Sequence, residues 1–371
     1  MIVGVDARPL SSKNLSGIGN YLLEVLDFLK FDDKNQYILY SNSPIVNHRN
    51  ILDYYESRIT PGKIGTLWVC YKLKNILEED KVELFWGTQH MLPLNTKNIK
   101  LVVTVHDLAL IIHPDWGSVN NMIMQNIFCK KSCKIADRII AVSNSTKNDL
   151  INILNISESK VRVNHLGTSQ DIIEIVNLDL DSKLGFLKNK NYFLYLGNIE
   201  PRKNIPNIIR AFNLYKQKDT NDTYLIIAGG LGWKYKPILK ELSKSKYKDF
   251  IKMVGYVSNK EKNWLLSNSK VLLFPSNYEG FGLPILEGMK YGVPVITTRI
   301  SSMPEVGGKF SYYINKPTDF KKMSEYLSQI INLSQYERDS LKRNEQDWIK
   351  NFTWEKCGAR TLEVFNDFKK E

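Results

Sequence analysis

Two acidic residues, Glu279 and Glu287, stand eight apart in the run Tyr278-Glu279-Gly280-Phe281-Gly282-Leu283-Pro284-Ile285-Leu286-Glu287-Gly288. Pro284 suits the first turn of a helix, and Gly292 stands where that helix would end. A glycine loop that feeds a helix presents unpaired N–H groups and a dipole, both of which favour phosphate. Carboxylates beside such a loop suit the hydroxyls of a sugar or ribose better than the phosphate. The plainer alternative is a capping glutamate and a solvated one on an ordinary strand-to-helix turn.

Three further groups could do chemistry. Arg202 and Lys203 follow the apolar run Tyr192–Leu196, and two cations at a strand's carboxyl end can neutralise a diphosphate without a metal. His106 follows the apolar run Leu101–Val105, where a lone histidine is either structural or a ligand to substrate, and Asp107 beside it suits a local turn cap. Gly17-Ile18-Gly19 comes after the first strand, as phosphate loops do. The dinucleotide fingerprint needs a third glycine where Leu22 stands, so a nicotinamide cofactor is a poor fit.

The elements that must position these residues alternate. Met1–Asp6, Tyr37–Tyr40, Leu84–Trp86, Leu101–Val105, Arg138–Val142 and Val161–Asn164 are strand-like, with helical stretches such as Tyr21–Leu29 and Ser145–Leu154 between them. A second series comprises Tyr192–Leu196, Tyr224–Ala228, Ile251–Val254, Val271–Phe274 and Val293–Thr297. Its helical partners are Ile205–Lys216, Ile238–Leu242, Lys260–Ser267 and Pro284–Tyr291. Continuous apolar strands belong to parallel sheets covered on both faces, so the expected class is α/β with two doubly wound domains. The expected division is 1–168, a polar linker 169–190, 191–352, and a C-terminal helix within 353–371 placed to pack back on the first domain. Ligands of such sheets sit outside the carboxyl ends of the strands, so two domains facing a cleft would each contribute loops.

The run from Glu279 to Glu287 resembles the E-x7-E motif of the retaining glycosyltransferases of family 4, which have the GT-B fold of two Rossmann-like domains. Gly292-Val293-Pro294-Val295-Ile296, Pro304-Glu305-Val306, Leu196-Gly197 and Pro201-Arg202-Lys203-Asn204 continue the resemblance. Ser16-Gly17-Ile18-Gly19-Asn20-Tyr21, Thr104-Val105-His106-Asp107 and Ala141-Val142-Ser143 extend it thinly into the first half. The resemblance implies that Arg202 and Lys203 bind the donor diphosphate and stabilise the leaving nucleotide. Many members carry an arginine directly after the strand glycine, where this chain has Asn198, which shifts the burden onto Arg202 and Lys203.

By the same resemblance, His106 lies beside the transferred sugar and donates a hydrogen bond to it or orients the reactants. Gly17 and Gly19 approach the donor phosphate or the acceptor, and Gly255-Tyr256 lies near the nucleotide base. Gly197, Asn198, Gly280, Phe281, Gly282 and Leu283 complete the donor site. Glu279 serves the sugar as a catalytic group with His106, Lys203 and Arg202, and Glu287 serves the ribose. Asp179-Leu180-Asp181 looks like the metal-binding D-x-D of the other main glycosyltransferase fold, but it sits in the linker and reads as solvated.

Composition narrows the rest. At 371 residues and about 150 per domain, two to three domains are expected. Hydrophobic content of 43% and charged content of 24% exclude a disordered or fibrous chain. A net charge of +12 favours an anionic partner. No secretory signal opens the chain and no apolar run reaches about 18 residues. A cytoplasmic enzyme is therefore expected, peripheral at the inner face of the membrane. Lys63–Leu77 and Met122–Cys133 mix aromatic residues with lysines and suit either an anionic membrane surface or a core-facing helix. Cys70, Cys129, Cys133 and Cys357 form no zinc pattern and read as reduced thiols.

The expected activity moves a sugar from a nucleotide diphosphate to a hydroxyl of a glycan or lipid-linked acceptor in cell-surface polysaccharide synthesis. Retention of configuration goes with same-face attack, and no metal or cofactor is needed. The Pro201–Asn204 and Asp6-Ala7-Arg8 variants resemble bacterial mannosyltransferases of polysaccharide and O-antigen assembly, so GDP-mannose is the first candidate donor. A GT-B epimerase would need further acid and base groups, and a phosphorylase a pyridoxal-phosphate lysine; neither has a motif here. A nucleic-acid-binding protein would need clustered charge or a recognition motif, and the basic residues are spread over both halves. If Arg202, Lys203 and the helix at Pro284 neutralise the diphosphate, transfer survives excess EDTA. Activity abolished by chelator and restored by Mn²⁺ would show that this charge argument is wrong.

Overall fold

Apolar runs become the strands of two parallel sheets. The computed structural model describes residues 1–117, 125–169, 183–219 and 221–369. Residues 170–182 of the expected linker, with Asp179-Leu180-Asp181, lie outside the described residues, as do Met122 and Ile123. The chain divides into two units, Met1–Gly167 with Phe352–Glu371, and Thr168–Asn351.

The first unit holds β1 (Ile2–Asp6), β2 (Gln36–Ser41), β3 (Glu56–Ile59), β4 (Leu84–Gly87), β5 (Lys100–Val105), β6 (Arg138–Ala141) and β7 (Val161–Val163). Their order is β3-β2-β1-β4-β5-β6-β7, with every pairing parallel. The second holds β8 (Tyr192–Leu196), β9 (Tyr224–Ala228), β10 (Ile251–Gly255), β11 (Val271–Phe274), β12 (Val295–Thr298) and β13 (Tyr312–Ile314), in the order β10-β9-β8-β11-β12-β13, again all parallel. Each order reverses once, between β1 and β4 and between β8 and β11, and such a reversal opens a crevice at the strands' carboxyl ends.

Central strands are buried along their whole length, as β4, β8 and β11 show. Phe193 of β8 packs edge-on against Tyr215 of the helix Ile205–Lys216, with ring centroids 4.8 Å apart. Two strands escaped the apolar-run criterion. β3 is an edge strand whose four residues, Glu-Ser-Arg-Ile, are all exposed, and β13 is three residues long.

The helix expected from Tyr21 begins at Gly17, because the Ser16 hydroxyl accepts the Gly19 N–H and caps it. In the first unit, the terminal helix Trp354–Asn366 lies on Gly17–Leu29 so closely that a Cβ on Gly358 would meet Phe28 at 2.4 Å. The Asn164 amide fastens it, donating to the Cys357 carbonyl at 2.8 Å and Thr361 Oγ1 at 2.9 Å.

All four cysteines are free and buried. Among the described residues no helix is long and apolar enough to cross a membrane, and no group of three His, Cys, Asp or Glu side chains is placed to hold a metal. The segment Lys63–Leu77 is helical in turns of differing pitch from Gly65. It buries Trp68, Val69 and Leu73 and leaves Tyr71 and Ile64 exposed. Within Met122–Cys133, Phe128 is buried and meets Tyr71 edge-on, while Ile127 is exposed.

The helix Gln335–Ile349 carries one carboxyl that the core does not satisfy. Glu345 is 0% exposed, and among the described residues neither side-chain oxygen has a hydrogen-bond partner. Burial raises its pKa well above the ordinary value of 4.5. A raised acid stabilises the fold fully below that ordinary value, and the contribution is lost as pH rises through the shifted one. Glu345→Gln removes the titration, so its melting temperature should exceed the wild type's increasingly above pH ~4.5. A difference independent of pH in thermal melts would show that Glu345 is ionised in the fold.

Candidate active site

In the second unit, the backbone at the strand ends sets the site. β8 is followed by Gly197, whose φ of 146° is one that residues with a side chain rarely adopt, and a Cβ on the neighbouring Gly229 would fall 1.9 Å from the Gly197 carbonyl oxygen. The strand ends are laced together: Gly197 N–H donates to Ala228 and Gly229 N–H to Gly255, at 2.9 and 2.8 Å. Past Asn198, the turn Pro201–Lys203 closes on a left-handed Asn204. The Asn204 amide donates to the carbonyls of Pro275 and Pro317 at 3.0 and 2.7 Å, and Asn277 N–H donates to the Arg202 carbonyl at 2.8 Å. The loops after β8 and β11, on either side of the reversal, are thereby one framework.

Four charged side chains meet there. Glu279 takes Arg202 Nη1 at 2.7 Å on Oε2 and Lys203 Nζ at 2.5 Å on Oε1. Arg202 Nε also donates to Glu200 Oε1 at 2.6 Å. Glu200, Lys203 and Glu279 are 2%, 7% and 6% exposed, and the Phe274 ring lies under the Lys203 ammonium at 5.1 Å. Burial alone would raise the Glu279 pKa, but the charges of Arg202 and Lys203 outweigh it and hold the carboxyl below its usual range. The group is two cations and two carboxylates, formally neutral.

Glu279 is also held through its backbone. Its N–H donates to Ser301 Oγ at 3.0 Å, and the Ser302 hydroxyl lies 2.9 and 2.6 Å from the carbonyl oxygens of Glu279 and Phe281. Past Gly280, Gly282 in the left-handed region (φ 110°) turns the chain into the helix Leu283–Lys290, with Pro284 in its first turn. Glu287 on that helix accepts Lys262 Nζ at 2.6 Å from the helix Asn259–Asn268 and is partly exposed. Its charge raises the Lys262 pKa. Tyr256, after β10, is exposed, and its carbonyl accepts Lys183 Nζ.

In the first unit, the reversal between β1 and β4 collects a different set. Arg8 grips Asp6 with Nε at 2.8 Å and Nη2 at 2.7 Å. His106, at the end of β5, places Nε2 at 2.9 Å from the Thr88 carbonyl oxygen. A carbonyl only accepts, so Nε2 carries the proton and Nδ1 presents a lone pair. Tyr21 and His90 pack edge-on against the ring, centroids 5.1 and 5.5 Å away. Burial, then the His90 imidazole, push the His106 pKa down to about 4, so the ring is neutral at physiological pH. Asp107 Oδ1 accepts Ala109 N–H at 3.0 Å and closes the local turn.

Comparison with known proteins then places the chain. The model of the Glycosyl transferases group 1 matches residues 177–348, and that of Glycosyltransferase Family 4 matches residues 16–171. The chain belongs to the family 4 glycosyltransferases. It is 26% identical to the O-antigen chain mannosyltransferase B of Escherichia coli over 95% of this chain and 96% of that one. To the O-antigen chain mannosyltransferase RfbU of Salmonella typhimurium it is 27% identical, over 79% and 80%. Among solved structures, a glycosyltransferase from Rickettsia africae matches with a TM-score of 0.74 and 17% identity, over 100% of this chain and 98% of that one. Anabaena HepE in complex with UDP and glucose matches with a TM-score of 0.72 and 17% identity, over 98% and 99%. These likenesses carry the fold, which is GT-B.

Of the residues singled out for the transferase, Arg202, Lys203 and Glu279 are brought into direct contact. Glu287 is not: among the described residues no hydrogen bond or ion pair joins it to that cluster, and its partner is Lys262. Gly197, Asn198, Tyr256, Gly280, Phe281, Gly282 and Leu283 lie on loops or helix starts past the carboxyl ends of β8, β10 and β11, and Gly255 is the last residue of β10. Gly17 and Gly19 belong to the first turn of a helix rather than to a loop. His106 has its Nε2 engaged by the Thr88 carbonyl, which leaves Nδ1 as the ring nitrogen not used in that contact.

Residue reasoning missed Glu200, Lys262, His90, Ser301 and Ser302. An acid two residues before Arg202 was a usable signal for Glu200; the others depend on contacts from distant segments. A neutral His106 does not titrate above pH ~5, so turnover between pH 5.5 and 8 should show no step belonging to it. His106→Ala should lower turnover by about 3- to 10-fold, the worth of one neutral hydrogen bond, with nucleotide affinity unchanged. A wild-type step near pH 6.5 that disappears in His106→Asn would show a titrating imidazole instead.

Proposed function

We propose that this glycosyltransferase is a retaining, metal-independent enzyme that moves mannose from GDP-mannose to a hydroxyl of a glycan or lipid-linked acceptor in cell-surface polysaccharide synthesis. The observation that carries the reading is the pair of a partly buried Arg202 and a buried Lys203 at the sheet reversal, both held by Glu279 at the mouth of a glycine-led helix. Two fixed cations there suit a diphosphate, and a nucleoside diphosphate is the leaving group they stabilise. The relatives named as O-antigen mannosyltransferases favour mannose, and HepE, whose structure holds UDP and glucose, has the same fold.

The chemistry follows from the charges. The acceptor oxygen forms a bond to the sugar's anomeric carbon while the bond from that carbon to the phosphate oxygen breaks. The electron pair leaves with the phosphate, and the acceptor's proton passes to the departing phosphate oxygen. Arg202 and Lys203 take the charge that develops. Glu279 and Asp6 are engaged by two cations and by Arg8 respectively, which makes each a poor covalent nucleophile and favours the same-face route. Nδ1 of His106 accepts a hydrogen bond from a sugar hydroxyl.

A lipid-linked acceptor would place the enzyme at the cytoplasmic membrane surface. In support, the first unit carries a groove of about 800 Å³ lined by Pro61, Ile64, Leu67, Trp68 and Tyr71, with Lys63 and Lys72 among its lining residues. A panel of sugar nucleotides scored by thermal stabilisation and hydrolysis tests the donor: GDP-mannose should lead, and selective response to another sugar nucleotide would replace it.

The two glutamates separate cleanly. We assign Glu287 to the ribose, where a charge-assisted hydrogen bond is worth roughly 1.5–3 kcal/mol. Glu287→Ala should then weaken GDP binding by about 10- to 150-fold in calorimetry. Glu279→Ala should cut turnover without weakening GDP, because GDP lacks the sugar and the substitution unmasks Arg202 and Lys203. Equal loss of GDP affinity in both variants would end this division of labour.

A further inference from the structure

The cluster at the sheet reversal contains a carboxylate that the reaction outlined above does not use. Glu200 is 2% exposed and its Oε1 lies 2.6 Å from Arg202 Nε. It sits at the start of the turn Pro201–Lys203, and its Cβ lies 3.3 Å from where a side chain on Gly232 would begin, so the loop after β9 packs over it. A buried carboxylate beside a diphosphate site is an electrostatic cost unless it does something there.

Consider the charges as a donor arrives. Arg202 and Lys203 face Glu200 and Glu279, a formal sum of zero. A nucleoside diphosphate entering with both carboxylates in place meets no net positive charge. Glu279 can be drawn off, since it lies at the start of the glycine loop and the sugar hydroxyls offer it new donors. Glu200 has no such exit: it is almost fully buried beneath the β9 loop. It also grips Arg202 by Nε, the nitrogen nearest the chain, which leaves the guanidinium's terminal nitrogens to point elsewhere. A carboxylate on Nε fixes the plane of the fork without occupying its far end.

On the reading that this site binds a nucleotide sugar, we infer that Glu200 is a positioning residue for the diphosphate. It orients Arg202 throughout the catalytic cycle and moderates the affinity for the nucleoside diphosphate. The tie gives the guanidinium one orientation before the donor arrives, and its negative charge weakens the hold on the anion that must afterwards leave.

The test uses the full chain with GDP and UDP as probes, calorimetry for affinity, and hydrolysis of the preferred sugar nucleotide for turnover. Glu200→Gln keeps an acceptor for Nε and removes the charge, so the better-bound of the two nucleotides should bind about three- to tenfold tighter. Glu200→Ala removes the tie, so turnover should fall about ten- to hundredfold, and Glu200→Gln should recover most of that loss. In an Arg202→Ala background, Glu200→Ala should add nothing to the loss of turnover. Unchanged nucleotide affinity in Glu200→Gln overturns the inference, as does a full additional loss in the Arg202→Ala background. Should Glu200→Ala fail to fold, the glutamine variant, alone and with Arg202→Ala, decides in the same way. Failure of the underlying reading looks different: the wild type itself would bind neither GDP nor UDP.

Discussion

A carboxylate clasped between an arginine and a lysine, all largely out of water, is the constraint around which the second unit is organised. Two cations side by side in a dry crevice repel one another, and removing either from water costs several kcal/mol. Glu279 makes their burial tolerable, and they in turn keep it ionised where burial alone would favour the neutral acid. Such a group holds only if its members are fixed from several directions. The backbone meets that need: Asn204 and Asn277 tie the two loops that carry the cations and the carboxylate, and Ser301 and Ser302 hold the Glu279 backbone from the loop after β12.

The reversal of strand order explains why these loops meet at all. In a parallel sheet whose connections wind one way and then the other, the loops after the two central strands diverge and leave a crevice between them. Here those strands are β8 and β11, and their loops supply Arg202, Lys203 and Glu279. The first unit repeats the geometry with other chemistry. Around its reversal lie the Asp6–Arg8 pair and, on the next strand, a neutral His106 held by the Thr88 carbonyl. One crevice holds a cluster of four charged side chains, and the other a single Asp6–Arg8 pair beside a neutral imidazole.

What could be read from residues alone divides along a physical line. Fully buried strands announce themselves as apolar runs, so β4, β8 and β11 were legible, and with them the ends where ligands bind. The spacing of Glu279 and Glu287 around Gly282 and Pro284 was legible because loop and helix start are written locally. β3 was not, since an exposed edge strand carries no apolar run. The early start of the helix at Gly17 turned on a serine cap, a single hydrogen bond. The sense of the His106 hydrogen bond depends on a carbonyl eighteen residues away in sequence. The compensation of Arg202 by Glu200 depends on side-chain direction, which a list of charges in a loop does not contain.

That last point changes how the basic residues of the site are understood. Counted in sequence, Arg202 and Lys203 are two positive charges awaiting an anion. In the fold they are already neutralised, so an entering diphosphate exchanges partners and does not simply add one. Exchange lowers the net gain on binding, because each new contact is offset by a carboxylate contact given up. It also leaves the guanidinium and ammonium in place when no ligand is present, so little reorganisation is needed when charge develops on a leaving phosphate. On the proposed reading, the site sacrifices some affinity for the nucleotide in return for order. For a transferase that must release a nucleoside diphosphate after each turn, weaker product binding with unaltered geometry is the more useful combination.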